Sequence, residues 1–189
     1  MKIAFFGDSF TQGVGDPDGL GWAGRLGKAQ GFTVANFGVQ GDTGTDILAR
    51  WRGQAEGAHP DRIVFCFGAN DCLLTENKRI RVGQVDRLRI AKTLMVDAGK
   101  MAPVLFVSPF PVADDAAATN RIGEMARQLI TFTRLHKTPY VNIFDAVMAS
   151  DIWRQEALAG DGAHPGAGGY GLVVDLIAQS PVWQDWLKG

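Results

Sequence analysis

Cysteine is scarce in this 189-residue chain, which contains only Cys66 and Cys72. Two cysteines cannot form a disulfide framework, and no C-x-x-C pair or Cys/His cluster has the spacing of a zinc site. The sequence therefore predicts no bound metal and no other cofactor. Low cysteine usage without a disulfide pattern also suits a reducing compartment, so we expect a cytoplasmic protein.

An excess of charge of either sign is missing as well. Lys and Arg total 19 and Asp and Glu total 20, so the formal net charge is −1. A chain with this balance has no field that attracts nucleic acid or anionic lipid, and we expect neither as a partner. Hydrophobic residues make up 46% and charged residues 21% of the chain, which is typical of a globular domain and excludes a disordered or fibrous protein.

Long hydrophobic runs are also absent. The longest, such as Pro103–Val107, fall far below the ~18 residues that a membrane-spanning helix needs. Near the N-terminus, the apolar stretch Ile3–Phe6 is interrupted by Gly7 and Asp8 and is too short for the ~7–15-residue core of a signal peptide. We therefore expect no membrane segment and no secretion signal.

Glycine, by contrast, is abundant, with 24 of the 189 residues, or about 13% against a usual ~7%. The glycines cluster after apolar runs, as at Gly7–Gly15, Gly38–Gly44 and Gly160–Gly171. Glycine at a strand end permits a tight turn or a close approach of backbones. This distribution predicts a site built on loops above a sheet.

Short apolar runs alternate along the chain with segments of helical spacing. The runs are Ile3–Phe6, Val34–Phe37, Ile63–Phe67, Val104–Val107 and Tyr140–Ile143. The helical segments are Trp22–Lys28, Thr45–Gln54, Val82–Met101, Ala116–His136 and a last amphipathic helix over Ala167–Leu187. Continuous short apolar runs are typical of strands buried on both faces of a parallel sheet. The order predicts an α/β fold: a flavodoxin-like three-layer α/β/α sandwich around a five-stranded parallel sheet, as a single domain over residues 1–189.

Chemically useful residues follow the predicted strands, where open α/β sheets carry their sites. They form four blocks: Gly7-Asp8-Ser9-Phe10, Asn36-Phe37-Gly38, Gly68-Ala69-Asn70-Asp71 and Asp161-Gly162-Ala163-His164. Together the blocks resemble the SGNH/GDSL hydrolase family, which is defined by four such blocks in this order. The resemblance extends from Met1 to the final helix. It implies an ester hydrolase with a serine nucleophile, and Phe10 in place of the family's leucine is an apolar exchange that we expect to leave the chemistry intact.

The candidate catalytic residues are Ser9, Asp161 and His164. Among the four serines, Ser9 alone follows a strand in a glycine-rich turn, although a Ser there also suits a helix N-cap. An Asp-x-x-His loop can place Asp161 against Nδ1 of His164 and leave Nε2 free for the serine, although a capping Asp and a surface His are the simpler alternative. We expect the other two histidines, His59 and His136, to be structural.

The resemblance also implies an oxyanion hole made of the backbone N–H of Ser9, the backbone N–H of Gly38 and the side-chain amide of Asn70. Asn70 is a neutral donor that does not titrate, and its alternative role is a turn or cap. We expect Asp8 and Asp71 to hold their loops through hydrogen bonds to the backbone.

The predicted function is a serine esterase or acylhydrolase that cleaves short-chain carboxylic or thioesters of a small molecule. Two alternatives stay open: an acyltransferase that uses the same acyl-enzyme, and a non-catalytic flavodoxin-like binding module. Neither a G-x-S-x-G elbow nor a G-x-x-x-x-G-K-[ST] phosphate-binding loop occurs in the chain.

Two loops are left over to shape a substrate pocket, Asp71–Arg81 and Ser108–Asp115. In the second, we expect Phe110 and Val112 to be pocket walls. We expect the charge run Glu76–Arg81 to be a solvated loop and helix start. The glycine-rich stretch Gly166–Gly169 is unusual for a helix start and favours a loose loop after His164.

Overall fold

The computed structural model describes residues 1–189 and contains one five-stranded sheet in which all strand pairs are parallel. Its spatial order is β2-β1-β3-β4-β5. The strands are β1 (Lys2–Gly7), β2 (Thr33–Gly38), β3 (Arg62–Cys66), β4 (Val104–Val107) and β5 (Tyr140–Val141). The predicted five-stranded parallel α/β fold is confirmed.

Nine α-helices surround the sheet: α1 (Ser9–Gln12), α2 (Gly21–Gln30), α3 (Gly44–Ala58), α4 (Gln84–Ala98), α5 (Ala116–Leu135), α6 (Phe144–Met148), α7 (Asp151–Ala159), α8 (Ala167–Gln179) and α9 (Pro181–Lys188). Helices α2, α7, α8 and α9 pack in one layer, and α3, α4 and α5 pack in the other. Successive side chains of a strand point to opposite faces. On β1, Phe5 meets Trp22 of α2, and Phe6 lies on the face where Trp51 of α3 packs against Phe65.

A row of four phenylalanines crosses the second of these faces. Phe37, Phe6, Phe65 and Phe106 occupy matching register positions on β2, β1, β3 and β4. Neighbouring ring centroids are 5.0, 5.4 and 5.3 Å apart, within the range of favourable aromatic pairs. The row lies one residue before Gly7, Gly38 and Cys66, so it supports the carboxyl edge of the sheet.

The chain reverses its direction across the sheet at β1. From β1 it moves to β2 on one side, and β3 then lies on the other side. Loops that leave β1 and β3 therefore diverge and open a crevice at the carboxyl ends of these strands. The loops that border this crevice begin at Asp8 and at Phe67.

Two predicted elements differ from the structure. The last strand is shorter than Tyr140–Ile143, because the N–H of Ile143 donates to the hydroxyl of Ser108 and α6 begins at Phe144. The single helix predicted over 167–187 is wrong. It is divided at Ser180 into α8 and α9, because Pro181 cannot continue a helix but suits the first turn of a new one.

Of the solvated loop and helix start predicted over Glu76–Arg81, the loop is confirmed, since all of its residues are exposed, and the helix start is wrong. Helix α4 begins only at Gln84. None of the helices combines the length and the hydropathy that crossing a membrane would require.

The close packing of α1 against β2 predicts a strong effect of Gly38→Ala. A Cβ at Gly38 would overlap the backbone of Gln12, which has no flexible end to move aside. We expect this variant to lose ~1–3 kcal/mol of unfolding free energy in urea, the usual cost of overpacking.

Gly53→Ala is the matched control, because Gly53 is an exposed glycine of α3 whose added Cβ would meet nothing within 4 Å. Alanine there should stabilise the helix by ~0.5–1 kcal/mol. Equal unfolding midpoints for the two variants would contradict the tight packing at Gly38.

Candidate active site

Ser9 is the first residue of the short helix α1, directly above the end of β1. The cap of this helix is Asp8, whose Oδ1 accepts a hydrogen bond of 3.1 Å from the N–H of Phe10. The helix ends after one turn at Gly13, which adopts φ 97°. Ser9 is therefore not the N-cap, and its hydroxyl is free for another partner.

The partner of this hydroxyl is His164, which lies 155 residues away in sequence. Its Nε2 is 2.6 Å from Oγ of Ser9, and its Nδ1 is 2.6 Å from Oδ2 of Asp161. Since a carboxylate only accepts, the bond pattern assigns the ring proton to Nδ1 and makes Nε2 the acceptor for the serine hydroxyl. The structure thus brings together the three residues that the sequence selected.

Asp161 is held as an anion by its own loop. Its Oδ1 accepts from the N–H groups of Ala163 (3.0 Å) and His164 (2.9 Å), in addition to the ring bond on Oδ2. Partial burial favours the neutral acid, but these hydrogen bonds outweigh it and lower the pKa of Asp161 to about 2. The carboxylate is therefore ionised at any pH near neutrality.

The ring of His164 rests on an aromatic cluster. The ring centroids of Phe10 and His164 are 4.8 Å apart, and Phe110 and Trp153 pack against Phe10. Phe110 is fully buried in the core, so its prediction as a pocket wall is wrong. Val112 lines a separate cavity of about 170 Å³ beside Trp153.

The glycine-rich stretch after His164 is anchored, contrary to the expected loose loop. Glu156 of α7 accepts from the N–H of Gly168 through Oε1 (3.1 Å) and from the N–H of Gly169 through Oε2 (2.7 Å). A Cβ at Gly168 would overlap Ile152 of α7. The glycines thus let α7 approach closely enough for its carboxylate to cap α8.

Asn70 begins a single 3₁₀ turn that ends at Cys72, after β3. Its Nδ2 donates to the carbonyl of Asp42 (3.0 Å), and its Oδ1 lies 3.4 Å from Nη1 of Arg81. A carboxamide nitrogen carries two hydrogens. One N–H of Asn70 is therefore left over for a ligand.

Gly38 does not offer the free backbone N–H that the family resemblance implied. This N–H donates to Oδ1 of Asn36 (2.9 Å), two residues earlier. Gly41, three residues later, has a backbone N–H with no acceptor in the chain. The φ of 84° at Gly41 and the capture of the Gly38 N–H by Asn36 are conformational facts that the sequence does not display.

The two buried carboxylates Asp8 and Asp71 accept hydrogen bonds from backbone N–H groups, as expected, Asp8 within its own loop and Asp71 from another loop. Both oxygens of Asp71 lie 3.0 Å from the N–H of Gly44, so the loop after β3 holds the start of α3. Burial raises the pKa of Asp71 to about 6 and that of Asp8 to about 7, and the two carboxylates repel each other.

His59 and His136 lie away from this site. His59 follows α3 in a left-handed conformation with φ 50°, and His136 follows α5 and packs edge-on against Phe132. No group of three His, Cys, Asp or Glu side chains is arranged to hold a metal ion.

The buried carboxyl of Asp8 predicts a particular pH dependence of stability. Its pKa of about 7 lies above the ordinary value of 3.8, so the folded protein holds an extra proton between about pH 4 and pH 7. The contribution of Asp8 to stability is therefore complete below about pH 4 and is lost as the pH rises through 7. Asp8→Asn keeps an oxygen acceptor for Phe10 and removes the charge.

We expect the unfolding free energy of Asp8→Asn, relative to wild type, to increase from pH 4 to pH 8 by up to about 4 kcal/mol. Urea titrations across this range measure it. Asp175→Asn changes an exposed carboxylate of α8 and serves as the control. A difference that stays constant with pH would contradict a buried, neutral Asp8.

Comparison with known proteins gives consistent matches. The family model described as GDSL-like Lipase/Acylhydrolase family matches residues 5–172. An acetylxylan esterase of Geobacillus stearothermophilus is 33% identical over 86 residues, which are 37% of this chain and 39% of that protein. This chain spans about a third of the length of the curated relatives that it matches.

Two solved structures illustrate the match in fold. The lipase/acylhydrolase of Enterococcus faecalis superposes with a TM-score of 0.74 at 26% identity, covering 99% of this chain and 96% of that one. A G-D-S-L lipolytic family protein of Veillonella parvula superposes with a TM-score of 0.79 at 21% identity, covering 96% and 98%. The second likeness concerns the fold alone.

Proposed function

The chain belongs to the GDSL-like lipase/acylhydrolase family, and from that premise we propose that it is a serine esterase that hydrolyses small esters through an acyl-enzyme on Ser9. The observation that carries the proposal is the unbroken chain of 2.6 Å contacts from Asp161 through His164 to Ser9. This arrangement joins a nucleophile, a base and a group that orients the base.

The reaction runs in two halves. As Oγ of Ser9 forms a bond to the ester carbonyl carbon, Nε2 of His164 takes the serine proton, and ionised Asp161 stabilises the imidazolium. The tetrahedral intermediate collapses, the C–O bond to the alcohol breaks, and His164 returns its proton to the leaving oxygen. His164 then takes a proton from a water molecule as the water oxygen attacks the acyl carbon. The bond from that carbon to Oγ of Ser9 breaks, His164 returns the proton to Oγ, and the acid and free Ser9 are released.

The negative oxygen of each intermediate needs donors, and we assign this role to three N–H groups. Ser9 occupies the first position of α1, where a backbone N–H has no acceptor within the helix. The spare N–H of Asn70 and the unpaired N–H of Gly41 complete the set. Gly41 takes the place of Gly38 because the Gly38 N–H already has a partner.

We further propose that the acyl group is short. The cavity that borders the triad has a volume of about 380 Å³, and Ala159 is its only apolar side chain; the other lining residues are Gly15, Glu156, Gly160, Asp161, His164 and Gly166. The predicted pocket wall Phe110 is part of the core, so no apolar slot opens there. The similarity to an acetylxylan esterase, whose name specifies an acetyl group, agrees with this size.

Substitution of the candidate triad should abolish esterase activity without unfolding the protein. We expect Ser9→Ala and His164→Ala each to remove nearly all p-nitrophenyl acetate hydrolysis, by ~10⁴-fold or more in kcat. The double variant should be scarcely worse than either single variant, because the residues act as one unit.

His59→Ala, which removes a distant histidine, is the control and should retain its activity. A fluorophosphonate probe should label Ser9 in wild type, as mapped by mass spectrometry. Absence of label would favour the non-catalytic binding module, and additive losses in the double variant would contradict the triad.

The size of the acyl pocket can be measured with a series of p-nitrophenyl esters. Each buried CH₂ contributes ~0.8 kcal/mol, so kcat/KM should rise only while the chain finds apolar surface. We expect a maximum between about two and six carbons, where that gain ends. A rate that keeps rising beyond ten carbons, with substrate below its micelle concentration, would identify a long-chain acylhydrolase instead.

A further inference from the structure

Arg81 lies beside the proposed oxyanion donors and has no role in the reaction described above. Its Nη2 donates to the carbonyl of Gly41 (3.0 Å), and its Nη1 lies 3.4 Å from Oδ1 of Asn70. No carboxylate lies within ion-pair distance of its guanidinium. We propose that Arg81 is a positioning residue that orients the amide of Asn70 and holds it against the Gly41 loop. This inference rests on the proposed function.

The orientation of a carboxamide is not fixed by its own geometry. A half-turn of the terminal torsion exchanges oxygen and nitrogen at almost no intrinsic cost. Asn70 faces an acceptor, the carbonyl of Asp42, on one side and a donor, Arg81, on the other. Only one orientation satisfies both neighbours, and this orientation presents Nδ2 and its spare N–H. Without Arg81, only the Asp42 carbonyl selects it.

The same guanidinium connects the two loops that carry the donors. Gly41 follows β2 and Asn70 follows β3, and these strands are not neighbours in the sheet. Arg81 contacts both, and Asn70 in turn donates to Asp42, the residue after Gly41. Arg81 therefore fixes the separation of two donors that must reach one oxygen atom, which is the geometric requirement for stabilising an oxyanion.

Arg81 is itself well placed for this task, because it ends a hydrogen-bonded hairpin. The N–H of Arg81 donates to the carbonyl of Leu73 (2.9 Å), and the N–H of Thr75 donates to the carbonyl of Arg79 (2.7 Å). The next residue, Val82, donates to the carbonyl of Asp71. The loop that carries Arg81 is thus anchored to the same turn that carries Asn70.

The positive charge of Arg81 also has an electrostatic effect on the Asn70 amide. A cation at the carbonyl end of the amide polarises the group and makes its N–H a stronger donor, as in chains of hydrogen bonds. Both effects concern the transition state, in which the oxygen carries charge. Substrate binding before the reaction should be almost unaffected.

The test compares Arg81→Ala with Arg79→Ala on p-nitrophenyl acetate. Arg79 is an exposed arginine of the same hairpin whose side chain makes no hydrogen bond or ion pair. We expect Arg81→Ala to lower kcat about tenfold, with KM within about twofold, since loss of an oxyanion donor itself costs ~10²–10³. Arg79→Ala should match wild type in kcat, and both variants should have similar melting temperatures.

Three further variants separate positioning from a purely structural role. Arg81→Lys keeps the charge and should recover part of the lost kcat, although an ammonium cannot bridge two acceptors as a planar guanidinium does. Asn70→Ala should lose ~10²–10³ in kcat. Combining it with Arg81→Ala should lower kcat little further, because Arg81 acts through Asn70.

The possible outcomes distinguish a failure of the positioning role from a failure of the proposed function. An Arg81→Ala enzyme with unchanged kcat, with an effect on KM alone, or with a loss that adds fully to that of Asn70→Ala would overturn the positioning role. In those cases wild type still hydrolyses the ester and still loses activity with Ser9→Ala, so the proposed function stands. A wild-type enzyme without Ser9-dependent hydrolysis would overturn both.

Discussion

The row of four phenylalanines across the sheet holds the strands in register. Four rings at one register level fix the relative heights of β2, β1, β3 and β4. A shift of one residue in any strand would turn its ring to the opposite face and expose or displace a large apolar group. Register is thus set immediately below the edge where the strands become loops, so the loops start from fixed positions.

On this edge, hydrogen bonds between loops add to those within single loops. Asp71 ties the turn after β3 to the start of α3, and Asn70 and Arg81 tie it to the loop after β2. Glu156 does the same for the segment that follows His164. Such bonds cost desolvation, as the raised pKa values of Asp8 and Asp71 show. In return, these hydrogen bonds give the short glycine-rich loops a defined geometry without further burial of apolar side chains.

Hydrogen bonding and burial also set the pKa values of the two carboxylates near Ser9, Asp161 and Asp8. Asp161 lies on the exposed side of the site and is kept ionised by hydrogen bonds from its own loop, whereas Asp8 is buried directly below Ser9 and favours its neutral form. Two carboxylates in one site thus differ in pKa because their surroundings differ.

Local signals in the sequence were enough to locate the strands and to select the candidate site residues. Apolar runs and their glycine boundaries located five strands, because strand burial and strand ends are local signals. Ser9, Asp161 and His164 could be chosen because they follow those strands and because the serines and histidines are few. Asp161 and His164 are three residues apart, so even their contact is partly local.

The contacts between these residues, in contrast, depend on the folded chain. The contact between His164 and Ser9 spans 155 residues, and the sheet order that creates the crevice depends on long-range pairing, which no periodicity records. Capture of the Gly38 N–H by Asn36 and the free N–H of Gly41 depend on backbone torsions. The capping of α8 by Glu156 and the place of Arg81 beside Asn70 depend on which helices and loops become neighbours. Residue types show what a side chain can donate or accept, but only the folded chain determines which partner is within reach.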